Sequence, residues 1–399
     1  MKMLLDMVDV NRVTEDRRRL HACAETGFAL EETFRVVWER LEEMGLSPRQ
    51  CGRCGIVAEV GSGARCVLLR ADMDALAMQE ETGLAFAARN GCMHACGHDL
   101  HTAMLLEAAR LLKAQEDNLP GTVRLMFQPA EESLEGAADM LKNGLLEPSR
   151  PEAAFMLHVL TGLELPVGTA IVSAPGVSAP AAGMFEICVQ GKGCHGASPA
   201  TGIDPILAAA HMVLNLQQIQ SRELSLHQAC VLTVGMLQAG DAPNVIPDRA
   251  VLRGSFRVID TQAQAYIMRR IGEIAHATAN LGRCSAEVRW LGSCPPLKND
   301  AQLSQSTLAT LRTLLGTEQV LLSSEIGGSE ATKNTGSEDF ANISQEVPAL
   351  MVALAAGRPQ DGHVHPAHHP GTTFDEAALP VGAAAYACMA LNALQGPKG

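Results

Sequence analysis

The run His94-Ala-Cys-Gly-His-Asp-Leu-His101 packs three imidazoles, one thiol and one carboxylate into eight positions. Strand-like sequence precedes it and an apolar, helix-like stretch follows. Packing alone does not explain such a density of soft and borderline ligand types. Thiolate and neutral imidazole suit zinc, and imidazole also suits manganese, iron or cobalt. Cys96 and His98, two apart across Gly97, are the leading ligand candidates. His94 and His101 are expected to hydrogen-bond a backbone group or a carboxylate instead.

Working outward, helical periodicity runs through 12–46, where Leu20, Phe34, Val37, Leu41 and Leu46 recur between charged residues. Segments 56–60 and 66–70 read as strands around the turn Gly61-Ser-Gly63. A helix is expected over 101–113, a buried strand over 122–128, a helix over 136–142 and a strand over 153–158. Strands alternating with helices imply a mainly parallel sheet, and in such sheets ligands collect beyond the carboxyl ends of the strands. Three candidate groups stand there: the Cys96/His98 run, Glu131-Glu132 and His158. Adjacent residues leaving a strand point in different directions. One glutamate can therefore bind metal while the other serves as a general base toward a metal-acidified water. A second dense region is His363-Val-His-Pro-Ala-His-His-Pro370.

The character changes near 175–185. Strands are expected near 184–190, 229–237 and 250–258, with helices near 204–220 and 262–281, which fits a small antiparallel sheet with helices on one face. Trp290-Leu-Gly-Ser-Cys-Pro-Pro296 reads as the linker back. With 399 residues the chain is too long for one ordinary core. The division expected is 1–181 and 293–399 as one domain, with 182–292 inserted in it.

Net charge is −13, which gives no electrostatic footprint for nucleic acid. Arg17-Arg18-Arg19, set among Glu15, Asp16 and Glu25, reads as a solvated helix face. Asp6 and Asp9 interrupt any signal-peptide core, and no long apolar run follows, so a cytoplasmic protein without membrane contact is expected. In a reducing compartment the twelve cysteines are not expected to form disulfides. Cys51-Gly-Arg-Cys54 is a lone CxxC without a second pair and reads as a loop before the strand at 55–60.

Several stretches together resemble the two-metal amidohydrolases of the aminoacylase and carboxypeptidase superfamily. They are Arg70-Ala-Asp-Met-Asp-Ala-Leu76, Met93-His-Ala-Cys-Gly-His-Asp-Leu-His-Thr-Ala103, Gln128-Pro-Ala-Glu-Glu132, Gly193-Cys-His-Gly-Ala-Ser-Pro199, Gly240-Asp-Ala-Pro-Asn-Val-Ile-Pro-Asp248, Gly336-Ser-Glu-Asp-Phe340, and His368-His-Pro with Leu379-Pro-Val-Gly382. They follow family order and span roughly residues 16–390.

The resemblance implies an α/β fold: a mainly parallel-sheet catalytic domain of the zinc-exopeptidase type with an inserted α+β lid that often dimerises. It implies two divalent ions (zinc, manganese, iron, cobalt or nickel) bridged by the Cys96 thiolate, with His98, Glu132, His158 and His368 as further ligands. Glu131 would be the general base and His195 would stabilise the oxyanion. Asn244 and Arg257 would hold the substrate's carboxylate, and Asp74 and Asp99 would support the ligands. The expected reaction is hydrolysis of an N-acyl amino acid, such as an N-acetyl or N-benzoyl one. Dipeptide or carboxypeptidase-type cleavage and N-acetyldiaminopimelate deacetylation are the alternatives. Ala77 stands where proline is usual, Ser133-Leu-Glu135 replaces a Gly-rich turn, and Ala200 often has His as its counterpart. None of these departures removes a ligand.

Overall fold

A computed structural model describes residues 3–326 and 336–396. Its strands are β1 (Arg49–Cys51), β2 (Gly55–Val60), β3 (Cys66–Asp72), β4 (Thr122–Gln128), β5 (Ala153–Leu160), β6 (Ala170–Val172), β7 (Gly176–Ala179), β8 (Ala181–Gln190), β9 (Cys194–His195), β10 (Cys230–Ala239), β11 (Val245–Ile246), β12 (Arg249–Val258), β13 (Ser285–Cys294), β14 (Leu297–Asn299), β15 (Val320–Leu322) and β16 (Ala349–Ala355). The helices are α1 (Met3–Asp6), α2 (Val10–Ala22), α3 (Glu31–Glu43), α4 (His98–Lys113), α5 (Gly136–Lys142), α6 (Pro205–Gln218), α7 (Thr261–Leu281), α8 (Ala301–Leu315), α9 (Ala341–Ser344) and α10 (Ala378–Gln395). The chain divides into two compact units. The larger runs to Ser178 and resumes at Lys298, and the smaller is built on Ala179–Leu297.

The larger unit holds an eight-stranded sheet in the order β1-β2-β4-β3-β5-β16-β6-β15. Its centre, β4-β3-β5-β16, is parallel, while β1-β2, β2-β4 and β16-β6 pair antiparallel. The central strands are apolar throughout because helices cover the sheet: β3 and β4 are buried at every position. Helix α4 is nearly all buried, and so is most of α10. Helix α10 is long and apolar enough to span a membrane, but two-thirds of it is buried within the protein. Its Tyr386 hydroxyl donates to the Arg70 carbonyl (2.6 Å) and accepts from the Leu157 N–H (3.0 Å), tying β3 to β5 where their ladder ends.

Three local expectations are corrected. The periodic stretch 12–46 is two helices, α2 and α3. It breaks at Gly27, which has φ +58, and the Glu25 carboxylate accepts from the N–H groups of Glu32 and Thr33 at the start of α3. Helix α4 starts at His98 rather than His101. Gly97 precedes it in the left-handed region at φ 86, and a Cβ there would lie 2.3 Å from Val159 Cγ2, so both backbone and space demand glycine. The presumed return linker at 290–296 is largely strand: β13 pairs with β8 as far as Cys294, with a bulge between Trp290 and Gly292.

The smaller unit is a four-stranded antiparallel sheet, β10-β12-β8-β13. Phe185, Ile187, Leu252 and Phe256 share a core with Met212 and Leu216 of α6 and with Ile267 and Ile271 of α7. The units divide a few residues outside the expected 182 and 292, because β8 begins at Ala181 and β13 continues to Cys294.

Candidate metal centre

The candidate ligands of the larger unit come from strand ends and the loops beyond them. Cys96 and His98 lie at the start of α4, Glu131-Glu132 follow β4, His158 is on β5 and His368 follows β16. Two donor triads share one thiol: Cys96 with His98 and His158, and Cys96 with Glu132 and His368. Cys96 Sγ is 3.6 Å from His158 Nε2 and 3.4 Å from His368 Nε2, and His368 Nε2 is 3.5 Å from Glu132 Oε1. Sulfur and nitrogen bound to one tetrahedral ion at about 2.3 and 2.1 Å lie roughly 3.6 Å apart. The donors are thus spaced for a shared cation. Glu131 contributes a carboxylate oxygen within 4.8 Å of His98 and Glu132 donors.

Asp74 builds much of this. Fully buried, its carboxylate accepts from two successive N–H groups, Glu131 (3.0 Å) and Glu132 (3.2 Å). Its carbonyl accepts from His98 Nδ1 (2.8 Å). A proton on Nδ1 leaves Nε2 to face the cluster. That nitrogen is buried without a hydrogen-bond partner among the described residues, with Asp72 Oδ2 at 3.5 Å and Glu132 Oε1 at 3.9 Å. Ala130, at φ 54, turns the chain out of β4 so that both glutamates meet Asp74. His158 is oriented in the same way, with Nδ1 2.7 Å from the Val159 carbonyl, so that Nε2 faces Cys96. His368 adopts φ 66, its N–H is bonded to the Ala95 carbonyl (3.0 Å) and its side chain is half exposed. One sulfur, three imidazole nitrogens facing the cluster and a carboxylate fit two divalent cations.

Burial pushes the Cys96 thiol up to about 11. Burial also disfavours a charged His98, but the Asp72 carboxylate and the Asp74 bond outweigh it and hold His98 well above the usual imidazole range. Burial, with the neighbouring His101, pushes His158 down to about 3, which keeps it neutral.

The chain belongs to the M20/M25/M40 peptidase family. The family model matches residues 68–392. Two relatives are an IAA-amino acid hydrolase, ILR1-like 4, of Arabidopsis thaliana (38% identical over 385 residues, 95% of this chain and 84% of the relative) and an N-acetylcysteine deacetylase of Bacillus subtilis (34% over 390 residues, 96% and 97%). A solved Bacillus subtilis structure described as a dinuclear metal binding peptidase of the M20 family superposes with a TM-score of 0.75, at 31% identity, covering 97% of this chain and 99% of that one. This protein is therefore an M20-family hydrolase.

The remaining candidates are placed as follows. Asp99 faces away from the donors into a buried ionic cluster, accepting from Arg17 Nε (2.8 Å) beside His21 Nδ1 (2.8 Å). Arg17, read from sequence as solvated, is 1% exposed; only Arg18 and Arg19 lie outward. Burial disfavours a charged His21, but Asp99 and Glu80 lift it to about 9. His94 is buried with neither ring nitrogen hydrogen-bonded among the described residues, contrary to expectation, and burial pushes it down to about 3. In the smaller unit, His195 and Asn244 are neighbours: Gly196 N donates to the Asn244 carbonyl (2.7 Å) and His195 pairs with Val245. His195 Nδ1 accepts from Ala197 N (3.1 Å), which leaves Nε2–H as an exposed donor. Arg257, on β12, donates to the Phe256 carbonyl. The CxxC thiols point to different carbonyls, Cys51 to Met140 and Asn143 and Cys54 to Phe28, and burial pushes the Cys54 thiol up to about 11. They are not poised as a reactive dithiol.

Burial keeps the Cys96 thiol protonated at neutral pH and the Asp72 carboxylate favours a charged His98, so metal loading competes with protons at the site. Calorimetric titration of the metal-stripped protein with zinc in buffers of different ionisation enthalpy should show proton release and affinity rising with pH. Heats independent of the buffer would contradict this picture.

Proposed function

We propose that this M20-family hydrolase cleaves the amide of N-acyl amino acids, releasing a carboxylic acid and a free amino acid. One observation carries the reading: two ligand triads meet at Cys96 beside Glu131, a carboxylate neither triad needs. The bound divalent ions would supply a polarised carbonyl and an acidified water. Cys96, His98, Glu132, His158 and His368 would hold them. Glu131, pinned through its N–H by Asp74, would take the water's proton and deliver it to the leaving nitrogen. His195 would donate from Nε2 to the oxygen on which negative charge develops, a contribution typically of about 3 kcal/mol. Asn244, and with it Arg257, would hold the carboxylate of the amino-acid half. The relatives that act on auxin conjugates and N-acetylcysteine support an N-acyl amino acid as substrate.

Glu131→Gln should lower turnover of a responsive N-acetyl or N-benzoyl amino acid by at least roughly a hundredfold while leaving metal content at the wild-type level. Near-normal turnover in that variant would remove Glu131 as the base. A panel that sets N-acyl amino acids against dipeptides separates this activity from a peptidase on the same centre, since preferential cleavage of dipeptides would overturn the N-acyl reading.

We further propose a homodimer formed through the smaller unit, in a reducing cytoplasm. Edge strands β10 and β13 expose Val231, Leu237, Trp290 and Leu291. Exposed apolar edges favour pairing with another strand. Light scattering should give the mass of two chains, and a strictly monomeric mass would refute the dimer.

A further inference from the structure

His101 is one helical turn beyond His98 and fully buried, and although its donors lie near those of Asp72 and His98, both its ring nitrogens are taken by hydrogen bonds. Its Nε2 accepts from the Val159 N–H (2.8 Å), so its proton lies on Nδ1, which donates to Asp72 Oδ1 (2.6 Å). Asp72 is equally occupied. Its other oxygen accepts from Arg70 Nη1 (2.8 Å), and its carbonyl accepts from the Thr102 hydroxyl (2.7 Å).

The position of Val159 gives these bonds their meaning. Strand β5 pairs with β3 only from Ala153 to Met156, whereas its pairing with β16 continues to Leu160. Beyond Met156 the two strands part. On the side that faced β3, the Leu157 N–H takes the Tyr386 hydroxyl and the Val159 N–H takes His101. His158 lies between these two residues. Its ring packs 4.7 Å, centre to centre, from that of His101. Its Nδ1 bonds the carbonyl of the same Val159 that His101 holds by its N–H.

We propose that Asp72 and His101 form a positioning pair that holds the diverging end of β5 and so aims His158 at the ion bound with Cys96 and His98. Asp72 fixes the His101 tautomer, His101 fixes the Val159 peptide, and that peptide fixes the His158 ring. The pair serves one of the two cation positions, because Glu132 and His368 are held by other contacts, namely Asp74 and the Ala95 carbonyl. Partners behind a metal ligand are typically worth ten- to a hundredfold in affinity.

The test uses the full-length protein, stripped of metal and titrated with zinc alone, with bound zinc counted by elemental analysis after gel filtration. Wild type should take up two ions per chain. His101→Phe, which removes both bonds, should retain one ion at wild-type affinity and bind the second roughly ten- to a hundredfold more weakly. His101→Gln, whose amide keeps one acceptor and one donor, should recover much of the second ion. Asp72→Asn gives an independent reading if His101→Phe does not fold, and should likewise weaken one ion selectively. Two ions at unchanged affinity in the folded variants, or equal weakening of both, would overturn the positioning role. The inference rests on the two-ion reading of the centre. A wild type that takes up no zinc would sink that reading, whereas two ions in wild type and variants alike would sink the positioning pair alone.

Discussion

The centre depends on one buried carboxylate whose partners are backbone N–H groups. Asp74 accepts from the N–H groups of Glu131 and Glu132 while its carbonyl orients His98. One residue thus sets the two glutamates' backbone and the tautomer of a histidine supplied by a different element. A buried carboxylate is stable only when its lone pairs are met, so the chain must leave β4 in a tight turn that brings two N–H groups to it. The left-handed conformation of Ala130 follows from that demand. The strain is local, and it sets Glu131 and Glu132 side by side at the donor cluster.

A second buried network lies beneath the first. Arg70 is wholly buried and bonds Gln128, Asp72 and Asp339, while Asp339 also accepts from Gln128 and from the Ala137 N–H. Burying charges is costly unless each is paired and hydrogen-bonded. Here the pairing joins the ends of β3 and β4 to the start of α5, the same strand ends that carry the candidate ligands. The parallel centre of the sheet brings those ends together, and the polar network sets their spacing. A third cluster, Arg17, His21, Asp99 and Glu80, fastens α2 to the first turn of α4 and so to the residue after His98.

Much of this was legible in the sequence, and the rest was hidden for physical reasons. Apolar sequence leading to Glu131-Glu132 and to His158 marked them as candidate ligands because strand ends in parallel sheets converge, and the structure brings their donors to one cluster, with His158 inside β5 rather than beyond it. The small sheet with helices on one face could be read from alternating residues such as those of β8 and β12. The start of α4 was misplaced because a helix nucleated by a left-handed glycine has no Ser, Thr, Asp or Asn cap to mark it. The break between α2 and α3 was missed because apolar periodicity resumes in phase after the turn at Gly27. Arg17 read as solvated because its partner Asp99 is distant in sequence, and local composition carries no trace of a long-range ion pair. The task of His101 was hidden for a related reason. Its partner is a backbone N–H set free where β5 leaves β3, and only the strand pairing reveals that vacant ladder position.

Cys96 is the donor common to both triads, so if two cations bind, its thiolate would be the ligand they share. The most direct measurement is the zinc content of Cys96→Ala beside that of the wild type, counted after reconstitution and gel filtration with folding checked by circular dichroism. A shared ligand predicts two ions per chain in the wild type and weakened binding of both in the variant. A folded Cys96→Ala protein that keeps either ion at wild-type affinity would show that the thiolate does not bridge, and would contradict the account.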